Sequence, residues 1–259
     1  MTALLAVERL TRRFGGLLAV NELTLDLRRG EILGVIGPNG AGKSTAINLM
    51  SGAIRPSSGR VVFDGEDVTG LAPHLLVRRG LVRTHQATTV YAGQTVRENA
   101  LRGACAGTFP GVLHAFLGTA KARRMRRAAG ETVDRLLDLL RLAAVADRIA
   151  DALPYGMQKT LGMVMALAAA PRLLMLDEPV AGLSAEEADH VRDAIGRIRG
   201  QGISVLVVDH NMRFMSGLCD RVLVLHHGQE LALGAPQAVL SDPRVIHAYL
   251  GHGHGAAQR

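Results

Sequence analysis

The feature that most constrains this chain is the segment GPNGAGKST, which spans residues 37 to 45. An apolar run, Ile32–Ile36, precedes it, and a helical pattern follows it up to Ser51. A glycine-rich loop between a strand and a helix fits the pattern G-x-x-x-x-G-K-[ST] in the context that this pattern requires. The glycines let the backbone curl so that successive N–H groups face a phosphate chain, and the helix N-terminus adds a favourable dipole. The segment therefore predicts a phosphate-binding loop.

The residue types in this loop suggest separate tasks. We expect Lys43 to reach the β- and γ-phosphates, Ser44 to ligate Mg²⁺, and Thr45 to steady the α-phosphate. The rest of the predicted phosphate cradle consists of Gly37, Pro38, Asn39, Gly40, Ala41 and Gly42.

A second motif, LLMLDEP at residues 173 to 179, is a buried apolar strand that ends in two acids. Asp177, at the strand end, is placed to hold the Mg²⁺ shell, and Glu178 is placed to polarise an attacking water. Two acids at a strand end can also be an ordinary solvated terminus. The glycine-rich loop upstream favours the functional interpretation.

Composition limits the class of protein. With 259 residues, 48% hydrophobic and 20% charged, the chain matches a folded globular protein. The net charge of +7 suits phosphate-bearing partners, whereas an aromatic content of 3% without Trp argues against stacking of single-stranded bases. We therefore expect no nucleic-acid partner. The longest apolar stretch, at 161–176, is broken by Pro171 and Arg172, so we do not expect the chain to cross a membrane.

The order of apolar segments predicts an α/β fold. Up to about residue 70, short apolar stretches alternate with turns, including a hairpin near Asp64 and Gly65. Residues 87 to 160 are helical in character, with apolar residues at helical spacing near Val133 and Leu137. Three short apolar strands follow, at 173–176, 203–208 and 221–225. Helical segments separate them, which indicates parallel strands with crossover connections.

The two motifs, in this order, resemble those of the ATP-binding cassette family. The resemblance implies ATP as the nucleotide and adds further landmarks to the site. Phe14, in RRFGG, matches the aromatic residue that stacks on adenine; alternatively, it is a core phenylalanine of an early strand. Gln86 matches the glutamine that senses Mg²⁺ and contacts the membrane subunit. Residues 181–184, AGLS, match the loop that crosses the dimer interface, and His210 matches the histidine that grips the γ-phosphate.

The resemblance also implies an architecture and a set of metal ligands. The expected fold is a P-loop (RecA-like) nucleotide-binding sheet with an N-terminal antiparallel β-subdomain and an inserted helical subdomain. We assign residues 1–88 and 161–250 to the ATP-binding core, 89–160 to the helical subdomain, and 251–259 to a flexible tail. Three residues are expected to organise Mg²⁺, namely Ser44, Gln86 and Asp177.

Residues 153–157, LPYGM, occupy the place of the family signature, usually Leu-Ser-Gly-Gly-Gln. Leu153 and Gly156 match, whereas Pro154, Tyr155 and Met157 depart from it. No Ser, Thr, Asp or Asn is available to cap the helix that begins here. In the family, two cassettes pack head to tail and the signature of one faces the ATP of the other, which implies a phosphate ligand for these N–H groups. The alternative is a simple hinge into a core helix.

A narrower resemblance covers residues 5 to 251. The segments RFGGLLAVNELTLDL, IGPNGAGKST, LPYG and DPRVIHAYLG resemble the ATPase subunits of importers for branched-chain amino acids and for other amino acids and amides. This likeness implies transmembrane permease subunits and a second cassette ATPase, identical or not, as direct partners. It implies a periplasmic or extracellular substrate-binding protein as an indirect partner. It also implies a peripheral location at the cytoplasmic face of the inner (plasma) membrane.

Two alternatives stay open at the level of sequence. One is a soluble cassette ATPase that serves an assembly or regulatory role without a permease. The other is a degenerate cassette that binds ATP but mainly regulates. Glu178 and His210 argue against degeneracy, whereas Met157 and Met165 argue for it.

Overall fold

A computed structural model describes residues 3–84, 90–108 and 120–250, although the side chains of 105–108, 120–122 and 250 are excluded from this description. Gln86 and the predicted tail at 251–259 lie outside the described residues. The described residues form two β-sheets and the helices that pack on them. Within these ranges, no helix combines the length and apolar character needed to cross a membrane.

The first sheet is antiparallel and comes from the N-terminal part of the chain. Its strands are β1 (Ala3–Phe14), β2 (Leu17–Arg28), β4 (Ser58–Phe63) and β5 (Glu66–Asp67), in the order β2-β1-β4-β5. Asp64 and Gly65 both have positive φ, 53° and 83°, as a tight two-residue hairpin turn requires. The predicted hairpin near these two residues is therefore confirmed.

The second sheet is mostly parallel and forms the centre of the molecule. It contains β3 (Ile32–Ile36), β6 (Leu81–Arg83), β7 (Leu173–Asp177), β8 (Ser204–Val208), β9 (Arg221–His226) and β10 (Gln229–Gly234). The order is β10-β9-β3-β8-β7-β6, and β10 alone is paired antiparallel to its neighbour. Every residue of β3, β7 and β8 is buried, as expected for parallel strands covered on both faces.

The described helices lie between these strands and after the last of them. They are α1 (Lys43–Met50), α2 (Pro73–Arg78), α3 (Val96–Thr108), α4 (Ala120–Leu139), α5 (Tyr155–Leu167), α6 (Ala185–Gly200), α7 (Met212–Ser216), α8 (Pro236–Leu240) and α9 (Pro243–Leu250). Single turns of 3₁₀ helix, Ala143–Val145 and Ala150–Ala152, lie between α4 and α5. The predicted α/β class, with an antiparallel subdomain and a helical region, is confirmed.

Two hydrophobic clusters cover the opposite faces of the parallel sheet. Leu33 and Val35 of β3 belong to a cluster with α1 and the antiparallel sheet. Ile32 and Ile36 belong to the other cluster, with α4, α5 and α6. Alternate residues of one strand thus serve the two cores, because successive side chains of a strand point to opposite faces.

The predicted boundary between residues 160 and 161 falls inside α5, which runs without a break from Tyr155 to Leu167. Leu161 and Val164 of this helix are fully buried in the same cluster as Val133 and Leu137 of α4. A boundary at this point would split an element whose apolar face is shared with the helical region. The wider division into an ATP-binding core and a helical subdomain stays a prediction.

Candidate functional site

The glycine-rich loop lies between β3 and α1, at the carboxyl edge of the parallel sheet. Gly40 and Gly42 have φ of 78° and 100°, in the region that side chains disfavour. A Cβ atom on Gly42 would lie 2.5 Å from the carbonyl oxygen of Ala19. Gly42 is also the N-cap of α1 and supplies no side-chain hydrogen bond to it. The first N–H groups of α1 therefore have no side-chain cap from this residue, a geometry that suits an anionic ligand.

Lys43 is a buried cation within the loop. Its Nζ donates to the carbonyl oxygens of Gly37, at 2.7 Å, and Pro38, at 3.0 Å. Burial lowers the pKa of Lys43, while the carboxylates of Glu178, Asp209 and Asp177 oppose this shift. The ammonium is thus placed among the site's acids. Of its helical neighbours, Ser44 is exposed and Thr45 is half-buried.

Asp177 is the last residue of β7, and its two carboxylate oxygens differ. Oδ2 accepts a hydrogen bond of 2.8 Å from Arg83, whereas Oδ1 is buried and has no hydrogen-bond partner among the described residues. The other guanidinium nitrogen of Arg83 donates to Asn48 and Ser51 at the end of α1. A buried carboxylate oxygen without a donor fits a hard cation such as Mg²⁺, which prefers oxygen ligands.

Arg83 was not anticipated from the sequence. Its only signal there is a cation that ends the short apolar segment LVR, directly before the region of Gln86. Because Gln86 lies outside the described residues, its predicted role stays a prediction.

Glu178 and His210 lie at the ends of neighbouring strands. Oε1 of Glu178 is 4.0 Å from Nδ1 of His210. Glu178 has φ of 47°, and its backbone N–H donates to the carbonyl oxygen of Val208 at 2.7 Å. The register that pairs Asp177 with Val208, and Val208 with Val35, brings the two acids, His210 and the glycine-rich loop to one edge of the sheet.

Asp209 is a second residue that sequence reasoning missed. Its side chain is fully buried and accepts hydrogen bonds from the backbone N–H groups of His210, Asn211 and Val180. It thereby joins the histidine segment to the start of the 181–184 loop. Its sequence signal was weak, since an acid that follows the strand VLVV reads as an ordinary polar strand end.

Phe14, at the end of β1, is 44% exposed, so it is not a core residue. The Arg12 guanidinium lies 4.6 Å from the centre of its ring. An exposed aromatic face beside a cation is suited to stacking on a flat, electron-rich ring.

The predicted signature segment begins α5, with Pro154 as an N-cap that makes no side-chain hydrogen bond. Tyr155 and Met157 are exposed, whereas Leu153 and Gly156 are buried. The Gly156 backbone lies beside the carboxylate of Glu187 in α6, and this neighbour helps to keep the pKa of Glu187 low. The structure agrees with the expectation that the N-cap, Pro154, supplies no side-chain cap, whereas a phosphate ligand for the first N–H groups stays a prediction. The position of Glu187, thirty-one residues away, leaves no local sequence signal.

The C-terminal helix α9 also reaches the loop region. Burial raises the pKa of Tyr249 to about 12, and the neighbouring backbone of Gly37 opposes the shift. The Tyr249 hydroxyl is buried without a well-aligned hydrogen bond among the described residues. The C-terminal segment is thus packed against the first residue of the glycine-rich loop.

Together these features define a nucleotide-binding ATPase of the P-loop class. A phosphate-binding loop, a buried lysine, two acids and a histidine share the carboxyl edge of a parallel sheet, where open α/β sheets bind their ligands. Comparison with known proteins narrows the class. The sequence model of the ABC transporter family matches residues 20–181, and that of the branched-chain amino acid ATP-binding cassette transporter matches residues 229–255.

The chain belongs to the ATP-binding cassette (ABC) transporter family. It is 37% identical, over 249 residues, to the high-affinity branched-chain amino acid transport ATP-binding protein BraF of Pseudomonas aeruginosa. The matched region covers 96% of this chain and 98% of that protein. It is 38% identical, over 252 residues, to the corresponding protein LivG of Escherichia coli, with 96% and 98% covered. The solved ADP conformation of MJ1267, an ATP-binding cassette of an ABC transporter, superposes with a TM-score of 0.86 at 30% identity, covering 97% of this chain and all of that one. The predicted family and the ATPase activity of an ABC transporter subunit are confirmed.

Proposed function

We propose that this chain is the ATP-hydrolysing subunit of an importer for branched-chain amino acids or other amino acids and amides. The observation that carries the proposal is the single sheet edge that holds the loop, Asp177, Glu178 and His210. The names of the two relatives, and the second family model at residues 229–255, support the substrate class.

Each residue of the site is proposed to contact a particular part of MgATP. Phe14 stacks on adenine, and the loop amides with Lys43 hold the β- and γ-phosphates. Mg²⁺, held by Ser44, Gln86 and Asp177, supplies charge neutralisation at the phosphate oxygens when it is bound. Because Oε1 of Glu178 and Nδ1 of His210 are 4.0 Å apart, both side chains can contact the same reacting group.

Hydrolysis follows from these positions. A water oxygen bonds to the γ-phosphorus while the bond from that phosphorus to the β–γ bridging oxygen breaks. Glu178 orients the water and accepts its proton, and His210 stabilises the charge on the transferred phosphoryl group. ADP and inorganic phosphate are the products.

Transport requires partners. Two cassettes, identical or not, close head to tail around ATP, so that residues 153–157 of each chain face the nucleotide of the other. Closure and reopening move transmembrane permease subunits between inward- and outward-facing states at the cytoplasmic face of the inner membrane. A substrate-binding protein acts indirectly, through the permease.

The decisive experiment is isolation of the ATP-trapped complex. A Glu178→Gln chain is purified from mildly solubilised membranes in ATP, and co-purifying proteins are identified by mass spectrometry. Recovery of a multi-spanning permease is expected. The matched control is Glu230→Gln, at an exposed position. This variant should hydrolyse ATP at the parent rate and should not trap the ATP-bound complex.

Two outcomes would oppose the proposal. Recovery of soluble partners alone would favour the assembly-factor alternative. Parental hydrolysis by Glu178→Gln in the assembled complex would remove Glu178 from its role. The transported class is tested separately, by measuring whether ATPase activity of the reconstituted complex rises with leucine, isoleucine or valine delivered by its binding protein.

A further inference from the structure

The first turns of α5 lie against one segment of the same chain, residues 178–187, which joins Glu178 to α6. A Cβ atom on Gly182 would lie 3.6 Å from the Tyr155 ring. A Cβ atom on Gly156 would lie 3.2 Å from a carboxylate oxygen of Glu187. Lys159 Nζ donates to the backbone carbonyl oxygen of Glu178 at 3.1 Å. α5, the helix proposed to face the partner's nucleotide, is therefore hydrogen-bonded to the segment that contains Glu178, the proposed catalytic base of the same chain.

Lys159 makes the contact nearest to the chemistry. It is only 8% exposed, although lysine is among the residues least often buried. Its ammonium lies 5.4 Å from the centre of the Tyr155 ring. A buried ammonium requires acceptors, and the Glu178 carbonyl is one of them.

The backbone of Glu178 needs such support. Its φ of 47° is uncommon for a residue with a side chain, and such a strained backbone persists only where the surrounding structure holds it. Its N–H donates to the Val208 carbonyl at 2.7 Å, and its carbonyl accepts from Lys159 Nζ at 3.1 Å and from the Ala181 N–H at 3.2 Å. Hydrogen bonds on both sides thus fix the main chain, and with it the direction in which the carboxylate leaves the backbone.

We propose that Lys159 is a positioning residue for Glu178. It holds the carbonyl of the base and couples α5 to the hydrolytic site of the same chain. The inference rests on the proposed function, in which Glu178 orients the water. It follows that a shift of α5 when a second cassette binds has two effects. It brings residues 153–157 to the nucleotide site of the opposite chain, and it moves Glu178 within its own chain.

The test compares three variants within the assembled complex. Lys159→Met keeps the length of the side chain but removes the charge, Lys159→Arg keeps the charge, and Arg78→Met removes an exposed charge on α2 as a matched control. We expect kcat of Lys159→Met to fall about tenfold to a hundredfold, as for a misplaced catalytic group, with KM for MgATP unchanged. Lys159→Arg should recover part of the loss, and Arg78→Met should match the parent.

A double-mutant cycle separates positioning from general damage. If Lys159 acts through Glu178, then Lys159→Met should cause no further loss of the residual rate in a Glu178→Gln background. Additive losses, a rise in KM, or a parental rate for Lys159→Met would overturn the inference. If Lys159→Met does not fold, the same cycle is run with Lys159→Arg, whose altered geometry should also lower kcat only when Glu178 is present.

The proposed function and this inference fail in different ways. If Glu178→Gln hydrolyses ATP at the parent rate, the assignment of Glu178 as the catalytic base is rejected. An inactive Glu178→Gln together with a fully active Lys159→Met would reject the positioning role alone.

Discussion

Arg83 donates a hydrogen bond of 2.8 Å to Oδ2 of Asp177, while Oδ1 of the same carboxylate is buried without a partner among the described residues. The guanidinium therefore fixes the plane of the carboxylate and leaves one oxygen available. Because Arg83 also contacts Asn48 and Ser51, it joins the end of α1 to the acid of β7. One side chain thus links the phosphate-loop helix to the proposed metal ligand.

Removing this cation should destabilise the protein. The side chains of Arg83 and Asp177 are only 12% and 4% exposed, so Arg83→Met leaves a buried carboxylate unpaired. We expect a loss of about 3–5 kcal/mol in the free energy of unfolding, measured by denaturant titration. The control is Arg79→Met, whose ion pair with Glu66 is exposed and is expected to contribute less than about 1 kcal/mol. Equal losses in the two variants would contradict the linking role.

Two glycines of the loop should differ in their tolerance of a side chain. Both Gly40 and Gly42 have positive φ, but a Cβ on Gly40 meets no atom within 4 Å, whereas one on Gly42 lies 2.5 Å from the Ala19 carbonyl oxygen. Gly40→Ala should cost about 1–2 kcal/mol through backbone strain alone. Gly42→Ala should cost clearly more and should also weaken ATP binding, because the start of α1 must shift. Calorimetric titration with ATP and thermal unfolding of both variants measure the difference; similar values would show that the clash is relieved without moving the loop.

Phe14 should contribute to nucleotide affinity rather than to stability. Its ring is 44% exposed, so Phe14→Ala removes little buried surface. Loss of an aromatic platform for adenine should weaken ATP binding by about 1–3 kcal/mol, which is roughly fivefold to 150-fold in Kd. Leu17→Ala, at the exposed position paired with Phe14 across the hairpin, is the control and should leave Kd unchanged. If the two variants bind ATP equally well, the adenine role of Phe14 is wrong.

Glu187 should make stability depend on pH. Hydrogen bonds from the backbone and then the hydroxyl of Ser184 lower the pKa of Glu187, and the nearby Gly156 backbone and His190 act in the same direction. A carboxylate with a lowered pKa stabilises the fold above its unfolded pKa, and this contribution disappears as the pH falls through the folded value. Glu187→Gln should therefore be less stable than the parent near neutral pH, and the difference should shrink below about pH 4.5.

The measurement for Glu187 is urea unfolding over this pH range. Glu186→Gln, at the exposed neighbouring position of the same helical turn, is the control and should show a smaller difference with little pH dependence. A Glu187→Gln difference that stays constant with pH would mean that the carboxylate charge does not stabilise the capping box formed with Ser184 at the start of α6.

Local patterns predict the parts of this site that are local in the chain. The phosphate loop depends on glycine conformations between Ile36 and Lys43, and the acids follow directly on a buried strand, so short spacings suffice. The alternation of strands and helices likewise predicts the parallel sheet. Phe14 and His210 were reached only through the order of motifs in a known family.

Contacts across long sequence separations could not be predicted in this way. Asp209 accepts a hydrogen bond from Val180, Arg83 donates to Asp177, and Glu187 lies beside Gly156. Each pair is brought together by sheet order or helix packing. The same reason applies to α5, which runs across the predicted boundary between residues 160 and 161. A shared apolar core, which has no local marker, makes α5 one helix.

The position of β3 at the centre of the parallel sheet has a consequence for biosynthesis. Its two neighbours are β8 (Ser204–Val208) and β9 (Arg221–His226), so the strand that presents the phosphate loop is paired only by segments made late. At about 5–20 residues per second, roughly ten to forty seconds separate synthesis of residue 45 from that of residue 226. During much of this interval the phosphate loop is attached to a strand, Ile32–Ile36, whose neighbouring strands have not yet been made. The strand that presents the phosphate loop therefore gains its two neighbours only after most of the chain has been made, and a ribosome that stalls before β8 leaves this strand with neither.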